Sequence, residues 1–272
     1  MIGDKVMRIV ILENADQVAT AAADVIASTV QRHPEAVLGL ATGGTPLGTY
    51  QKLVERAKRG EVAFDRVTTF NLDEYVGLPA DHPQSYCTFM RRHLFEPGGF
   101  ALERCYLPNG SVTTWQDLEE ECRRYETLIQ RAGGIDLQLL GIGADGHIAF
   151  NEPGSSLASR TRVKALTEQT RRDNARFFSC IDEVPRLAIT MGIGTILEAR
   201  RILLLATGEQ KAEAVRAFVE GPVSAQVPAS ALQLHAATVV MLDAPAATLL
   251  ARKEYYLSME RIQQRLEAGL PL

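Results

Sequence analysis

The 272-residue chain contains no run of 18 apolar residues, and no positively charged start leads into an apolar segment. The first absence excludes a membrane-spanning helix and the second a secretory leader, so a cytoplasmic protein is expected. Cysteine is scarce. Cys87, Cys105, Cys122 and Cys180 are scattered with no CxxC pair, as expected of thiols in a reducing compartment rather than of a disulfide framework. Charge of one sign is lacking too: 29 Lys and Arg against 33 Asp and Glu leave a formal net charge of -4. That balance argues against a nucleic-acid or membrane partner but leaves room for a small anion site. Internal repeats and low-complexity tracts are missing, so no linker is drawn and residues 1–272 are expected to form a single α/β domain.

A chain of this size buries roughly 70 to 75% of its extended surface and needs no disulfide or metal to hold it. Short apolar runs alternate with longer helical stretches. Residues 7–12 read as a first strand behind an extra arm, 1–6, and residues 15–32 as a helix rich in alanine. Residues 36–41, 67–70, 135–140, 201–206 and 238–242 read as further strands, and 187–190 as a short strand or an extended approach to a helical 191–198. Helices are predicted over 83–94, 114–131, 209–220 and 255–268, with Thr45 as N-cap of another and Gly269 as a stop signal. This alternation predicts βα units. Near-continuous burial along the strands predicts helices on both faces of an open, mostly parallel sheet of about seven strands, with polar insertions at 71–86 and 150–185.

Ligands of open α/β sheets bind beyond the C-terminal ends of the strands. Four polar segments fall there. Thr42, Gly43, Gly44 and Thr45 offer backbone N–H groups, hydroxyls and a helix start, a cradle for a phosphate-sized anion. The segment lacks the GKS or GKT ending of a nucleotide P-loop, and Gly141, Gly143 and Gly146 match GxGxxG only by letter, with His147 and Pro153 crowding the place where a long helix would begin. Lys211, in the first turn of its helix, opposes the helix dipole unless it faces an anion; pointing into solvent is the plainer alternative. Asp73 could cap a turn or, partly desolvated, act as a general base on carbon.

The fourth segment carries Asp145, His147 and Glu152 within eight positions. Carboxylates beside an imidazole fix its tautomer and stabilise its protonated form, ready for proton transfer. A metal site competes, but without a second nearby histidine its ligand set is thin, so no metal is expected. No GxSxG elbow supplies a serine nucleophile. The residues therefore suggest an enzyme that moves protons on a small phosphorylated substrate.

The segments LATGGTP (40–46), FNLDEYVGLP (70–79), HPQSY (82–86), GIGADGHIAFNEPGSSLASRTRVK (141–164) and GEQK (208–211) closely resemble the glucosamine-6-phosphate deaminase family, in order and from about residue 7 to the C-terminus. The related 6-phosphogluconolactonases share the phosphate loop but do not usually carry the FNLDEYVGL and GHIAFNEP pair. The resemblance implies a Rossmann-like three-layer α/β/α sandwich and conversion of glucosamine 6-phosphate and water to fructose 6-phosphate and ammonia, without an organic cofactor. It implies that Asp73 moves a proton between C2 and C1, that His147 opens the sugar ring with Asp145 and Glu152 holding it, and that Gly43, Gly44, Thr45 and Lys211 bind phosphate. Arg176 would add a phosphate contact from a lid-like insertion around 160–185. Some members are hexamers activated by N-acetylglucosamine 6-phosphate at a subunit interface; the matching positions are Ser155, Arg162, Lys164 and Tyr255. The six residues before Met7 depart from the family pattern, in which the terminal amino group contributes to that contact. A homo-oligomer is expected, and a catalytically silent sugar-phosphate sensor is the competing class.

Overall fold

The computed structural model describes residues 7–112, 114–175 and 178–270, so the expected arm 1–6 lies outside the described residues. Seven strands form one sheet, all pairs parallel: β1 (Arg8–Leu12), β2 (Val37–Leu40), β3 (Thr68–Asn71), β5 (Cys105–Tyr106), β6 (Leu137–Leu140), β9 (Ile202–Ala206) and β10 (Thr238–Asp243). A second, three-stranded antiparallel sheet joins β4 (Asp73–Tyr75), β8 (Leu187–Thr190) and β7 (Arg162–Ala165).

The helix α1 (Ala15–Arg32) starts where Asn14 accepts the Gln17 N–H at 3.0 Å, and it buries Val18, Ala22, Ile26 and Val30, one face at helical spacing. With α2 (Gly44–Lys58), α3 (Tyr86–Met90) and the one-turn α4 (Glu96–Gly98) it covers one face of the large sheet. Ile26, Tyr50, Leu53 and Met90 pack there on Leu38, Leu139 and Leu203. On the other face lie α5 (Trp115–Arg131), α7 (Ile193–Leu197) and α8 (Ala212–Glu220), where Tyr125, Ile196, Val215 and Phe218 meet Phe70, Leu140, Leu204 and Val240. Each large apolar side chain buried this way contributes about 1.5–3 kcal/mol. The short α6 (Glu168–Asn174) falls within the stretch expected to form a lid-like insertion, and α9 (Lys253–Glu267) lies against edge strand β1, where Arg8 pairs with Glu260 at 2.8 Å.

Local details depart from the sequence expectations. The α2 N-cap is Gly43 at φ 97°, not Thr45, and its side-chain-free turn leaves the first N–H groups of α2 unoccupied by a capping oxygen. The helix expected over 83–94 begins at Tyr86, capped by Ser85, and passes into a π turn at Arg91–Phe95. That expected over 209–220 opens with a 3-10 turn at Glu209–Lys211 before α8. Residues 187–190 form a strand of the small sheet, leaving the two-residue β5 to complete the large one.

The large sheet runs β1-β10-β9-β6-β2-β3-β5. From β2 the chain winds outward through β3 and β5, then returns to β6 and winds the other way through β9 and β10. The switch point lies between β2 and β6, where the diverging loops leave a crevice.

Candidate active site

The four polar segments follow four neighbouring strands, β9, β6, β2 and β3, so the topology brings 207–211, 141–147, 42–45 and 72–75 to one end of the sheet. At β3 the chain stays extended past Asn71: Leu72 N–H bonds to Leu40 O at 3.0 Å and Met191 N–H to Leu72 O at 2.7 Å. Asp73 then pairs with Thr190 across β4 and β8. The small sheet thus holds Asp73 inside the protein, 6% exposed. Burial pushes its carboxyl up to about 8, and the neighbouring Glu74 charge adds to the rise.

Glu74 is buried beside it but supplied with donors. Its Oε1 accepts the N–H groups of Tyr75 and Tyr86, and its Oε2 that of Cys87, each at 2.9 Å. Burial still raises this carboxyl, and the three N–H groups counter the rise. The contacts fix the start of α3 and so place Tyr86, whose hydroxyl lies 3.2 Å from that of Tyr75. Glu74 and Tyr86 fall within the segments 70–79 and 82–86 that carry the family resemblance, but the sequence reading assigns neither a role of its own.

Beyond β6, Gly143 N–H bonds to His147 O at 2.9 Å, closing the turn. The imidazole lies over Gly143, where a Cβ would collide with the ring. His147 Nδ1 sits 2.7 Å from Asp145 Oδ1, off the line of a hydrogen bond, and 3.8 Å from Glu152 Oε2. Burial raises the Asp145 carboxyl, but the imidazole contact and the His147 backbone N–H, at 3.1 Å, outweigh it and hold the group at about 2. Glu152 is 3% exposed; its Oε1 accepts the Thr170 hydroxyl at 2.6 Å. Ligand atoms of Asp145, His147 and Glu152 lie within 4.8 Å of one another, close enough to share a proton or a divalent cation.

On the β9 side, Gly208 takes φ 89°, and both Asp243 oxygens accept its N–H at 3.0 Å. This carboxylate anchors the turn carrying Lys211, a half-buried side chain. Arg176 lies outside the described residues. Ser155 is buried, with no hydrogen-bond partner for its hydroxyl among the described residues, and Arg162, on β7, donates to Asn151 Oδ1 at 2.8 Å. Lys164 follows on β7, while Tyr255 stands exposed on α9 beneath the Arg252 guanidinium.

Known proteins agree with this architecture. Residues 12–241 match the family of glucosamine-6-phosphate isomerases and 6-phosphogluconolactonases. The glucosamine-6-phosphate deaminase of Shewanella loihica is 53% identical over 264 residues, covering 97% of each chain; that of Hahella chejuensis is 53% identical over 250 residues, 92% of this chain and 94% of its own. A solved monomeric glucosamine-6-phosphate deaminase superposes with a TM-score of 0.87 at 49% identity, over 89% of this chain and 100% of its own.

Proposed function

The chain belongs to the family of glucosamine-6-phosphate isomerases and 6-phosphogluconolactonases, and on that premise we propose that it converts D-glucosamine 6-phosphate and water to D-fructose 6-phosphate and ammonia. The observation that carries this reading is Asp73, a buried carboxyl raised to about 8, at the same sheet end as an imidazole flanked by two carboxylates.

His147, steadied by Asp145 and Glu152, moves the ring proton, and the pyranose opens to an aldehyde at C1. The aldehyde makes the C2 proton acidic. Asp73 in its ionised form removes that proton to give an enol bearing the amino group, and the same carboxyl returns the proton to C1. The product is the imine of the ketose, and one water replaces its nitrogen and releases ammonia. A base whose ionisation lies near neutral pH both accepts and returns a proton readily, which an ordinary aspartate would not. Thr42, Gly43, Gly44, Thr45 and Lys211 bind the ester phosphate, with Arg176 of the 160–185 lid adding to them. This remote grip orients C1 and C2 at no cost to the reacting bonds.

Substrate-dependent ammonia release by the purified protein is the test; absence of ammonia from glucosamine 6-phosphate, with hydrolysis of 6-phosphogluconolactone instead, would replace this reading by the lactonase one.

Ser155, Arg162, Lys164 and Tyr255 are assigned to binding N-acetylglucosamine 6-phosphate as an activator. Arg162 and Lys164 lie on β7 and Tyr255 on α9, and the reading has a second subunit complete this site. The reading includes a homo-oligomer, up to a hexamer; an exposed apolar row on α9, Tyr255, Met259, Ile262 and Leu266, offers a surface for self-association. Light scattering measures the assembly, and superimposable hyperbolic titrations with and without the acetylated sugar phosphate would exclude activation. The reading places this chemistry in the cytoplasm; no described helix is long and apolar enough to cross a membrane.

A further inference from the structure

The site is tied to the 160–185 insertion through one carboxylate. Glu152 Oε1 accepts the Thr170 hydroxyl at 2.6 Å and lies 3.3 Å from the Thr167 hydroxyl. Glu152 Oε2 has no hydrogen-bond partner among the described residues and stands 3.8 Å from His147 Nδ1. The two oxygens are thus divided between a lid helix and the imidazole.

Thr170 is buried, 4% exposed, in the first turn of α6. Thr167 caps that helix, accepting the Thr170 N–H at 3.1 Å, and its hydroxyl lies 3.1 Å from the Thr170 hydroxyl. Arg171, next in sequence and also buried, reaches the other way, donating to Ile181 O at 2.8 Å and pairing with Glu168 at 2.7 Å. The helix is therefore fastened to its own insertion by Arg171 and to Glu152 by Thr170.

We propose that Thr170 is a positioning residue for ring opening: from α6 it fixes the plane of the Glu152 carboxylate so that the oxygen left free faces His147, and docking of the lid helix and readiness of the imidazole are linked. The inference rests on the reading of His147 and Glu152 as ring-opening groups. Rotation about the last bond of a glutamate is broad, so an unanchored carboxylate turns both oxygens out of line with the imidazole for part of the time. A short hydroxyl-to-carboxylate bond in a buried setting is among the stronger neutral-donor contacts and removes that freedom. The β-branched Thr170 has few side-chain rotamers in a helix, which makes it a stiffer anchor than a long polar residue.

The test compares Thr170→Val, which keeps shape and loses the donor, with Thr170→Ser, which keeps the donor, and with Glu152→Gln. Each variant is assayed for ammonia release and for inhibition by an acyclic amino-hexitol 6-phosphate, a stand-in for the sugar after its ring has opened. Thr170→Val is expected to lower kcat about tenfold and leave the inhibition constant within about twofold, with Thr170→Ser recovering most of the loss. A native kcat in Thr170→Val beside an impaired Glu152→Gln overturns the inference and leaves the ring-opening reading standing. Equal losses in the Val and Ser variants, or inhibitor binding that weakens in step with kcat, overturn it as well, because both mark a general disturbance of packing. Normal turnover by Glu152→Gln removes the ring-opening reading and this inference with it.

Discussion

Asp73 and Asp145 follow strands two apart in the same sheet and are driven in opposite directions, Asp73 up to about 8 and Asp145 down to about 2. Asp73 is buried, whereas Asp145 keeps part of its side chain in solvent. What meets them differs as well: Asp145 has an imidazole and a backbone N–H, whereas Asp73 has another carboxylate next in sequence. One end of the site therefore holds a permanent negative charge that steadies a histidine, and the other holds a carboxyl that can both lose and regain a proton near neutral pH. Two environments make two roles from one side-chain type.

The comparison is broken most severely by Asp73→Asn, which keeps shape and removes the base. Turnover should fall by about 10³–10⁴-fold, with phosphate-dependent binding little changed. Stability should move the other way. The folded Asp73 keeps its proton up to about pH 8, while in the unfolded chain the same carboxyl ionises near its ordinary value of 3.8. Between those values the folded state binds the extra proton, so this group's contribution opposes folding increasingly as pH rises from about 4 to about 8. The Asn variant escapes that penalty and should be more stable than the native protein at pH 8, on the order of 2–4 kcal/mol, because an uncharged amide is buried more cheaply. Melts at pH 5 and pH 8 check this. A variant with native turnover, or one whose stability relative to native is the same at both pH values, contradicts the role given to Asp73.

At the other end, His147→Gln should lower kcat by about 10²-fold and leave the inhibition constant of the acyclic amino-hexitol phosphate close to native, since the loss falls on ring opening. Parallel losses in turnover and inhibitor binding would instead make His147 a binding group. Glu74→Gln sharpens the contrast between the carboxylates with a smaller effect. Removing the neighbouring charge lowers the proton affinity of Asp73, so the acidic limb of kcat/KM against pH should move to lower pH by less than about one unit. An upward displacement would mean that the lost N–H contacts of Glu74, rather than its charge, dominate.

What the sequence made legible is what local pattern encodes. The bounds Ala15–Arg32 follow from an Asn cap and apolar residues at helical spacing, and β9 from an unbroken apolar run. The four polar segments were visible because glycines and hydroxyls end short apolar strands. The second sheet was not. Its strand Asp73–Tyr75 is three residues long and its strand Arg162–Ala165 is half polar, so both depend on pairing with Leu187–Thr190 rather than on their own composition. The same limit applies within the site. Thr170 meets Glu152 across 18 positions and Asp243 meets Gly208 across 35, and no spacing rule links either pair. The Gly43 cap escaped notice because Thr45 offered a conventional capping hydroxyl, while the chain used a positive-φ turn that leaves N–H groups open at the anion end.

The smallest effect should come from the turn between the two acidic partners of His147. Ala149 holds φ 51°, a left-handed conformation that costs a residue with a Cβ about 1 kcal/mol. It lies two residues after His147 and three before Glu152, where Ile148 and Asn151 form an isolated bridge. Ala149→Gly relieves the conformational cost but makes the unfolded chain freer, so the net gain should be only about 0.5 kcal/mol, or one to two degrees in Tm. If the Ala conformation serves to restrict the turn, kcat should nonetheless drop about twofold as the His147-to-Glu152 spacing loosens. A variant both less stable and unchanged in kcat would show that this backbone conformation carries no strain, and that the 3.8 Å separation of imidazole and carboxylate does not depend on it.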